Sequence, residues 1–238
     1  MTKELKSERK NVWPYVIWPP IVLNIGGALL IGVIYAYKYA TATTPLPDTV
    51  QVDFSQTQLA LSAFILFVEW FFVYFLFSRY RKSNESIRSL FSRTKNLLEF
   101  RWGPAIFLFF VFNIIFVGYI LYLISRMPDL TYRGMHPIQA ILFILLVPVT
   151  AAFTEELIWR GHIISGFELH GKSPLAALLI SAVSFALIHG VFLPDKLLVT
   201  FIIGIVTGVY YQRERNLLPI IFTHWFVDVW SFGLFFFR

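Results

Sequence analysis

The sequence predicts an all-α membrane protein, a polytopic transmembrane helical bundle with about seven spans. Hydrophobic residues make up 57% of the 238 residues, and charged residues only 14%. A soluble domain of this length could not bury so much apolar surface, so lipid is expected to surround most of the chain. Seven apolar segments are long enough, or nearly so, to cross a bilayer as helices: 15–37, 59–77, 104–125, 138–167, 174–190, 197–211 and 218–237.

The distribution of lysine and arginine predicts how these helices are oriented, because basic loops tend to stay in the cytoplasm. The loops 41–58 and 126–136 are nearly balanced in charge, whereas the alternate segments are basic. The basic positions comprise Lys3, Lys6, Arg9, Lys10, the loop 78–101, Lys172, Arg213 and Arg215. We therefore expect a multi-pass protein of a bacterial cell membrane with a cytoplasmic N-terminus. The net charge of +6 lies in these loops and does not indicate a nucleic-acid partner.

Three features refine the first half of the chain. Pro19 and Pro20 predict a kink in the first helix or a late start of it. The stretch 78–101 has two open interpretations, an amphipathic segment on anionic lipid headgroups or an ordinary basic loop. Glu69 is a carboxyl group inside an apolar segment, and we expect its protonated form to make an interhelical hydrogen bond. Asn24 and Asn113 are also expected to bond across helices.

The segment around Glu155 and Glu156 carries the first chemical signal. Two adjacent carboxylates and Arg160 follow a long apolar run without a turn, and charges at membrane depth usually serve a polar site. At helical spacing Glu156 and Arg160 are i,i+4 neighbours that can neutralise each other. Glu155 points about 100° away from Glu156 and has no helical partner. One braced carboxylate and one free carboxylate suit acid–base chemistry.

Two later helices bring ionisable groups to the same region. His189 ends an uncharged helix, and His224 and Asp228 share one helical face. Glu155 and His189 lie at equal distances before and after Lys172, in the turn between two antiparallel helices, so both should lie about 25 Å from that turn. The expected site therefore joins helices four, five and seven.

These residues resemble the CAAX protease and bacteriocin-processing (Abi) family of intramembrane proteases. The motif Glu-Glu-x-x-x-Arg matches Glu155, Glu156 and Arg160, and Phe-x-x-x-His matches Phe185 and His189. His224 and Asp228 match His-x-x-x-Asn/Asp. The resemblance implies a CAAX-protease-like core at 103–238, preceded by a two-span region with a basic cytoplasmic loop at 1–102.

The resemblance also implies roles for these residues in peptide-bond hydrolysis. Glu155 and His189 would activate water, His224 and Asp228 would stabilise the oxyanion or complete a metal site, and Glu156 and Arg160 would orient the helix. Zinc held by Glu155, His189, His224 and Asp228, and a site without any cofactor, are both open. An aspartate at position 228 favours either a metal site or a protonated Asp228 side chain, because an ionised aspartate cannot donate a hydrogen bond to an oxyanion.

Three functions compete at this point. The first is an intramembrane endopeptidase that acts on a membrane-associated peptide or protein, with lipids as its surroundings. The second is a non-catalytic scaffold or bacteriocin-immunity factor of the same fold, suggested by the basic loop and by Asp228. The third is an ion or proton transporter, since buried carboxylates and histidines also form relays. Loss of peptide cleavage on replacement of Glu155, or ion flux in proteoliposomes, would separate them.

Overall fold

The structure is a computed structural model that describes residues 11–41, 54–83, 86–92, 98–126, 136–191 and 193–237. These residues form a bundle of helices without a β-strand, so the predicted all-α class is confirmed. The helices are α1 (Trp13–Thr41), α2 (Phe54–Lys82), α3 (Arg88–Phe91), α4 (Trp102–Arg126), α5 (Pro137–Glu155), a π-helix (Glu156–Ile164), α6 (Ser165–Leu169), α7 (Pro174–Ile188), α8 (Pro194–Glu214) and α9 (Leu218–Phe237).

Within the described residues, five helical stretches are long and apolar enough to cross a membrane. They are Trp13–Thr41, Thr57–Lys82, Trp102–Arg126, Pro137–Leu169 and Pro194–Glu214. Two further apolar helices, Pro174–Ile188 and Leu218–Leu234, are shorter. The chain is thus a multi-pass membrane protein, and the number of seven spans stays a prediction.

The lengths of individual helices differ from those expected. The segment 197–211 was expected to be short, but α8 has 21 residues because Pro194 begins it and polar residues continue it beyond the apolar run. Among the helices that correspond to predicted spans, the shortest is α7, with 15 residues. In α1 the helix begins at Trp13, so Pro19 and Pro20 lie inside it and do not mark its start.

The π-helix lies at the centre of the bundle. Each of its nine residues is buried, and it contacts α1, α3, α7 and α8 in addition to its neighbours in the chain. A π-helical turn closes i→i+5 hydrogen bonds and widens the helix, which is a feature frequent at functional sites. The sequence pattern predicted only a regular helix here, since it carries no residue that signals this wider turn.

Close packing brings α7 against α8 and anchors α9 beside α5. A Cβ atom added at Gly204 would lie 3.0 Å from the Ala182 backbone, so the absence of a side chain at Gly204 lets the two helices approach. Helix α9 packs on α5 and α4. Helix α1 packs on α2 and α7, and α2 packs on α5, so the first two helices directly contact the helices of the expected core.

The basic stretch 78–101 is described in part. Helix α2 continues through Lys82, and Leu90 of α3 is buried beneath the π-helix. Leu217 N donates to the Phe91 carbonyl, and Tyr211 Oη donates to the Leu90 carbonyl, so this segment is docked onto the protein. Residues 84–85 and 93–97 of the stretch lie outside the described residues, as do the basic residues before position 11.

Candidate active site

The structure brings the four expected site residues together at the junction of α5, α7 and α9. Glu155 is the last residue of α5, where the helix changes to the wider π-helical turn. Its Oε2 atom lies 3.8 Å from His189 Nε2 and 3.9 Å from His224 Nε2. His224 Nε2 is also 3.5 Å from Asp228 Oδ2. The two histidines and two carboxyl groups therefore face a common space.

Hydrogen bonds hold both imidazole rings with Nε2 towards Glu155. His189 Nδ1 lies 2.8 Å from the Phe185 carbonyl, and since that oxygen can only accept, Nδ1 carries the hydrogen. His224 Nδ1 lies 2.8 Å from Glu156 Oε1, and because Glu156 is ion-paired with Arg160 its carboxylate accepts, so this Nδ1 also carries a hydrogen. Each ring thus uses Nδ1 for its attachment and leaves Nε2 for chemistry.

Glu156 and Arg160 form a buried ion pair behind His224. Arg160 Nε lies 3.2 Å from Glu156 Oε2, at the expected i,i+4 spacing, and both side chains are almost fully buried. The same Nε atom donates to Thr207 Oγ1 of α8 at 2.9 Å. Glu156 thereby connects the arginine to His224, and the network ties the π-helix to α8 and α9.

The Phe185 ring packs against Arg160 and against the imidazole rings of His189 and His224. The Arg160 guanidinium lies 3.9 Å from the centroid of its ring, in a cation–π arrangement. The rings of His189 and His224 lie 4.6 and 6.4 Å from the same centroid. The aromatic side chain therefore fixes the positions of both imidazoles by contact.

The site is buried at Glu155 and more open on the side of His189 and Asp228. The side chains of His189 and Asp228 are 20% and 19% exposed, compared with 8% for Glu155 and 7% for His224. The side of the site at His189 and Asp228 is therefore its more exposed side. The Oε2 atom of Glu155 is buried and has no hydrogen-bond partner among the described residues.

Sequence reasoning did not anticipate three residues around this site, Thr154, Thr207 and Lys196, or the place of Glu69 beside Glu155. Glu69 of α2 accepts a hydrogen bond of 2.6 Å from Thr154 Oγ1 and lies within hydrogen-bonding reach of Glu155. The expected interhelical bond of Glu69 thus exists, with Thr154 as its donor. Thr207 holds Arg160, and Lys196 at the start of α8 is close enough to interact electrostatically with Glu155 and Asp228. A lone lysine in the first turn of an apolar helix was the available signal for Lys196.

Other polar residues pack or form hydrogen bonds away from the four expected site residues. His162 is buried, with its ring 4.6 Å from that of Tyr15 and its Nδ1 atom 3.5 Å from Tyr80 Oη. Asn113 bonds the Phe109 carbonyl of its own helix, contrary to the expectation of a bond across helices. Asn24 does bond across helices, to the end of α7.

The donors at the site do not form a ready metal cage. In the part of the chain that the structure describes, no three histidine, aspartate or glutamate side chains are arranged so that they could hold a metal ion. Asp228 Oδ2 lies 3.5 Å from His224 Nε2. Zinc at this site stays a prediction, and no chemical step is derived through a metal.

The described chain is a polytopic membrane protein in which buried carboxyl and imidazole groups meet at one site. Residues 137–230 match the family described as type II CAAX prenyl endopeptidase Rce1-like. The resemblance to CAAX proteases that the sequence predicted is thereby confirmed over this region, which contains all the motif residues. The match points to a protease. Searches among curated proteins and among solved structures found no match to the chain.

Proposed function

We propose that this chain is an intramembrane endopeptidase that hydrolyses a peptide bond of a membrane-associated peptide or protein, with a water molecule activated by Glu155. The observation that carries the proposal is the buried, unpartnered Oε2 atom of Glu155, which faces Nε2 of both His189 and His224 at 3.8 and 3.9 Å. These separations are too long for direct hydrogen bonds, and a bridging water lying off the direct lines would satisfy the groups.

In the proposed reaction, Glu155 acts as the general base. His189 Nε2 has a lone pair, so it accepts one hydrogen bond from the water while Glu155 takes the other proton. The water oxygen forms a bond to the carbonyl carbon, and the carbonyl becomes a tetrahedral oxyanion. When the C–N bond breaks, Glu155 returns the proton to the leaving amine.

His224 is proposed to stabilise the oxyanion. Its Nδ1 atom is held by Glu156, and a second hydrogen on Nε2 would be directed at the space shared with Glu155 and Asp228. A donor that is fixed in a site without bulk water stabilises developing charge strongly. A protonated Asp228 would add a second donor on the more open side of the site.

The substrate class and the setting are proposals of the same kind. The matched family suggests CAAX-type processing, that is, cleavage near the end of a membrane-anchored protein. We propose a cytoplasmic N-terminus, on the distribution of basic residues in the sequence, and a bacterial cell membrane as the setting. We further propose that residues 103–238 form the catalytic core and residues 1–102 an N-terminal region that supports it.

A comparison of membrane proteins from cells with the wild-type chain and cells with Glu155→Ala tests the function. We expect one membrane-associated precursor to accumulate in the variant, because the base for its cleavage is missing. The variant chain must be present at the wild-type level as a control. Identical precursor patterns, together with unchanged protection or partner binding in cells, would instead favour the scaffold.

Asp228→Asn distinguishes an oxyanion stabilised by a hydrogen bond from residue 228 from one stabilised by a metal that Asp228 ligates. An amide donates a hydrogen bond without needing a proton, so we expect cleavage by the purified variant to stay within about threefold of wild type, given the modest net worth of one hydrogen bond. Asp228→Ala should lose more of the cleavage rate than Asp228→Asn.

Cleavage by the wild-type protein should also persist in the presence of a chelator. Stoichiometric zinc in the purified protein, with activity lost to the chelator and restored by zinc, would overturn the proposed mechanism.

A further inference from the structure

Helix α7 ends at Ile188, directly before His189, and this end needs hydrogen-bond partners. The last carbonyl groups of any helix have no partner within it, and away from water each unsatisfied group is costly. A helix of 15 residues is about 22 Å long, less than the roughly 30 Å of a bilayer core. Hydrogen-bond partners supplied by the protein would therefore stabilise the end of α7.

The carbonyl groups of three consecutive residues at this end each have a hydrogen-bond partner. The Phe185 carbonyl bonds His189 Nδ1, and the Ala186 carbonyl accepts from the His189 backbone N–H at 3.0 Å. The Leu187 carbonyl accepts from Asn24 Nδ2 of α1 at 2.7 Å. After the turn at Gly190, which has a positive φ of 113°, the Val191 N–H donates back to Asn24 Oδ1 at 3.2 Å.

Asn24 thus bonds the backbone on both sides of His189, two residues before it and two residues after it. Its Nδ2 atom also donates to the Pro20 carbonyl of its own helix at 2.8 Å, which fixes the direction of the amide. A second bond joins the same helices, from Ser184 Oγ to the Val16 carbonyl at 2.8 Å. Helix α1 therefore holds the end of α7 at two points.

We infer that Asn24 is a positioning residue that holds His189 at its distance from Glu155, so that the first helix is a working part of the active site. This inference rests on the proposed function for its catalytic consequence. It extends the site beyond residues 137–230, the region that matches the protease family. Asn24 acts through the backbone of the His189 turn and does not itself touch the reacting atoms.

Cleavage by purified Asn24→Leu tests the catalytic consequence. Leucine has a similar volume and can make none of the three hydrogen bonds, so we expect kcat to fall at least tenfold while KM changes little. Asn113→Leu is the matched control, because Asn113 is also half-buried but among the described residues bonds only the Phe109 carbonyl of its own helix. We expect that variant to keep its kcat. If Asn24→Leu does not fold, Asn24→Ser replaces it.

A second readout does not need catalysis. The chain contains no cysteine, so His189→Cys introduces a single thiol whose rate of labelling by a membrane-permeant maleimide reports the placement of position 189. Adding Asn24→Leu should change this rate at least threefold, and adding Asn113→Leu should not. Equal labelling rates, or wild-type kcat in Asn24→Leu, would overturn the inference. Failure of the proposed function is a different result, in which the wild-type chain cleaves no better than Glu155→Gln.

Discussion

Purified Glu155→Gln is expected to lose about 10²–10⁴-fold in the rate of peptide cleavage, the usual worth of a general base. The glutamine amide has nearly the shape of the carboxylate but cannot accept a proton from water. Glu155 is buried at the end of α5 and faces both Nε2 atoms, so a water molecule held between the two imidazoles would lie against its carboxyl group. Single-turnover cleavage of the precursor found in cells would measure the loss.

Glu69→Gln is the matched control for this change. Glu69 is as deeply buried as Glu155 and lies within hydrogen-bonding reach of it, and it accepts a hydrogen bond from Thr154 Oγ1. The amide oxygen of glutamine can accept the same bond, so we expect cleavage within about threefold of wild type. If Glu69→Gln lost activity and Glu155→Gln kept it, the base would have been assigned to the wrong carboxyl group.

Breaking the Glu156–Arg160 ion pair is expected to lower the free energy of unfolding by about 3–5 kcal/mol. In Arg160→Met the buried carboxylate keeps only its bond to His224, and in Glu156→Gln the buried guanidinium loses its counter-charge. Arg160 Nη1 and Nη2 have no hydrogen-bond partner among the described residues, so Glu156, Thr207 and the Phe185 ring carry the compensation. Unfolding of the detergent-solubilised protein would measure both variants.

A double-mutant cycle separates the pair from the two residues. Glu156→Gln with Arg160→Met removes both charges, so its cost should be well below the sum of the single costs. The pair Arg101–Glu214 is the control, since it has a similar N–O distance of 3.4 Å but Arg101 is 75% exposed. Arg101→Gln should cost about 0–1 kcal/mol. Single costs at Glu156 and Arg160 as small as that would contradict a buried network.

The sequence was a good guide where the physical signal is local. Charges within an apolar run are rare, so Glu155, Glu156 and Arg160 were visible in the sequence. The spacing of Glu156 and Arg160 predicted their ion pair, which the structure contains. Equal offsets from the hairpin turn predicted that Glu155 and His189 lie at one depth, and their side chains are 3.8 Å apart.

Contacts between distant segments were not predictable in this way. Thr207 is an unremarkable residue in the apolar helix α8 until the fold brings Arg160 beside it. The bonds from Asn24 to Leu187 and Val191 join residues more than 160 positions apart. No periodicity or motif specifies such pairs, because they depend on which helices pack together.

Composition, charge placement and three short motifs predicted the all-α class of the protein, its residence in the membrane and the residues that meet at the candidate site, because hydrophobicity and helical spacing act over a few neighbouring residues. Tertiary structure alone decided which nitrogen of each histidine faces Glu155, and which helices hold those rings in place. The reason is that hydrogen-bond direction at a buried site is set by the partners that packing supplies, and here these partners come from α1, α7, α8 and the π-helix.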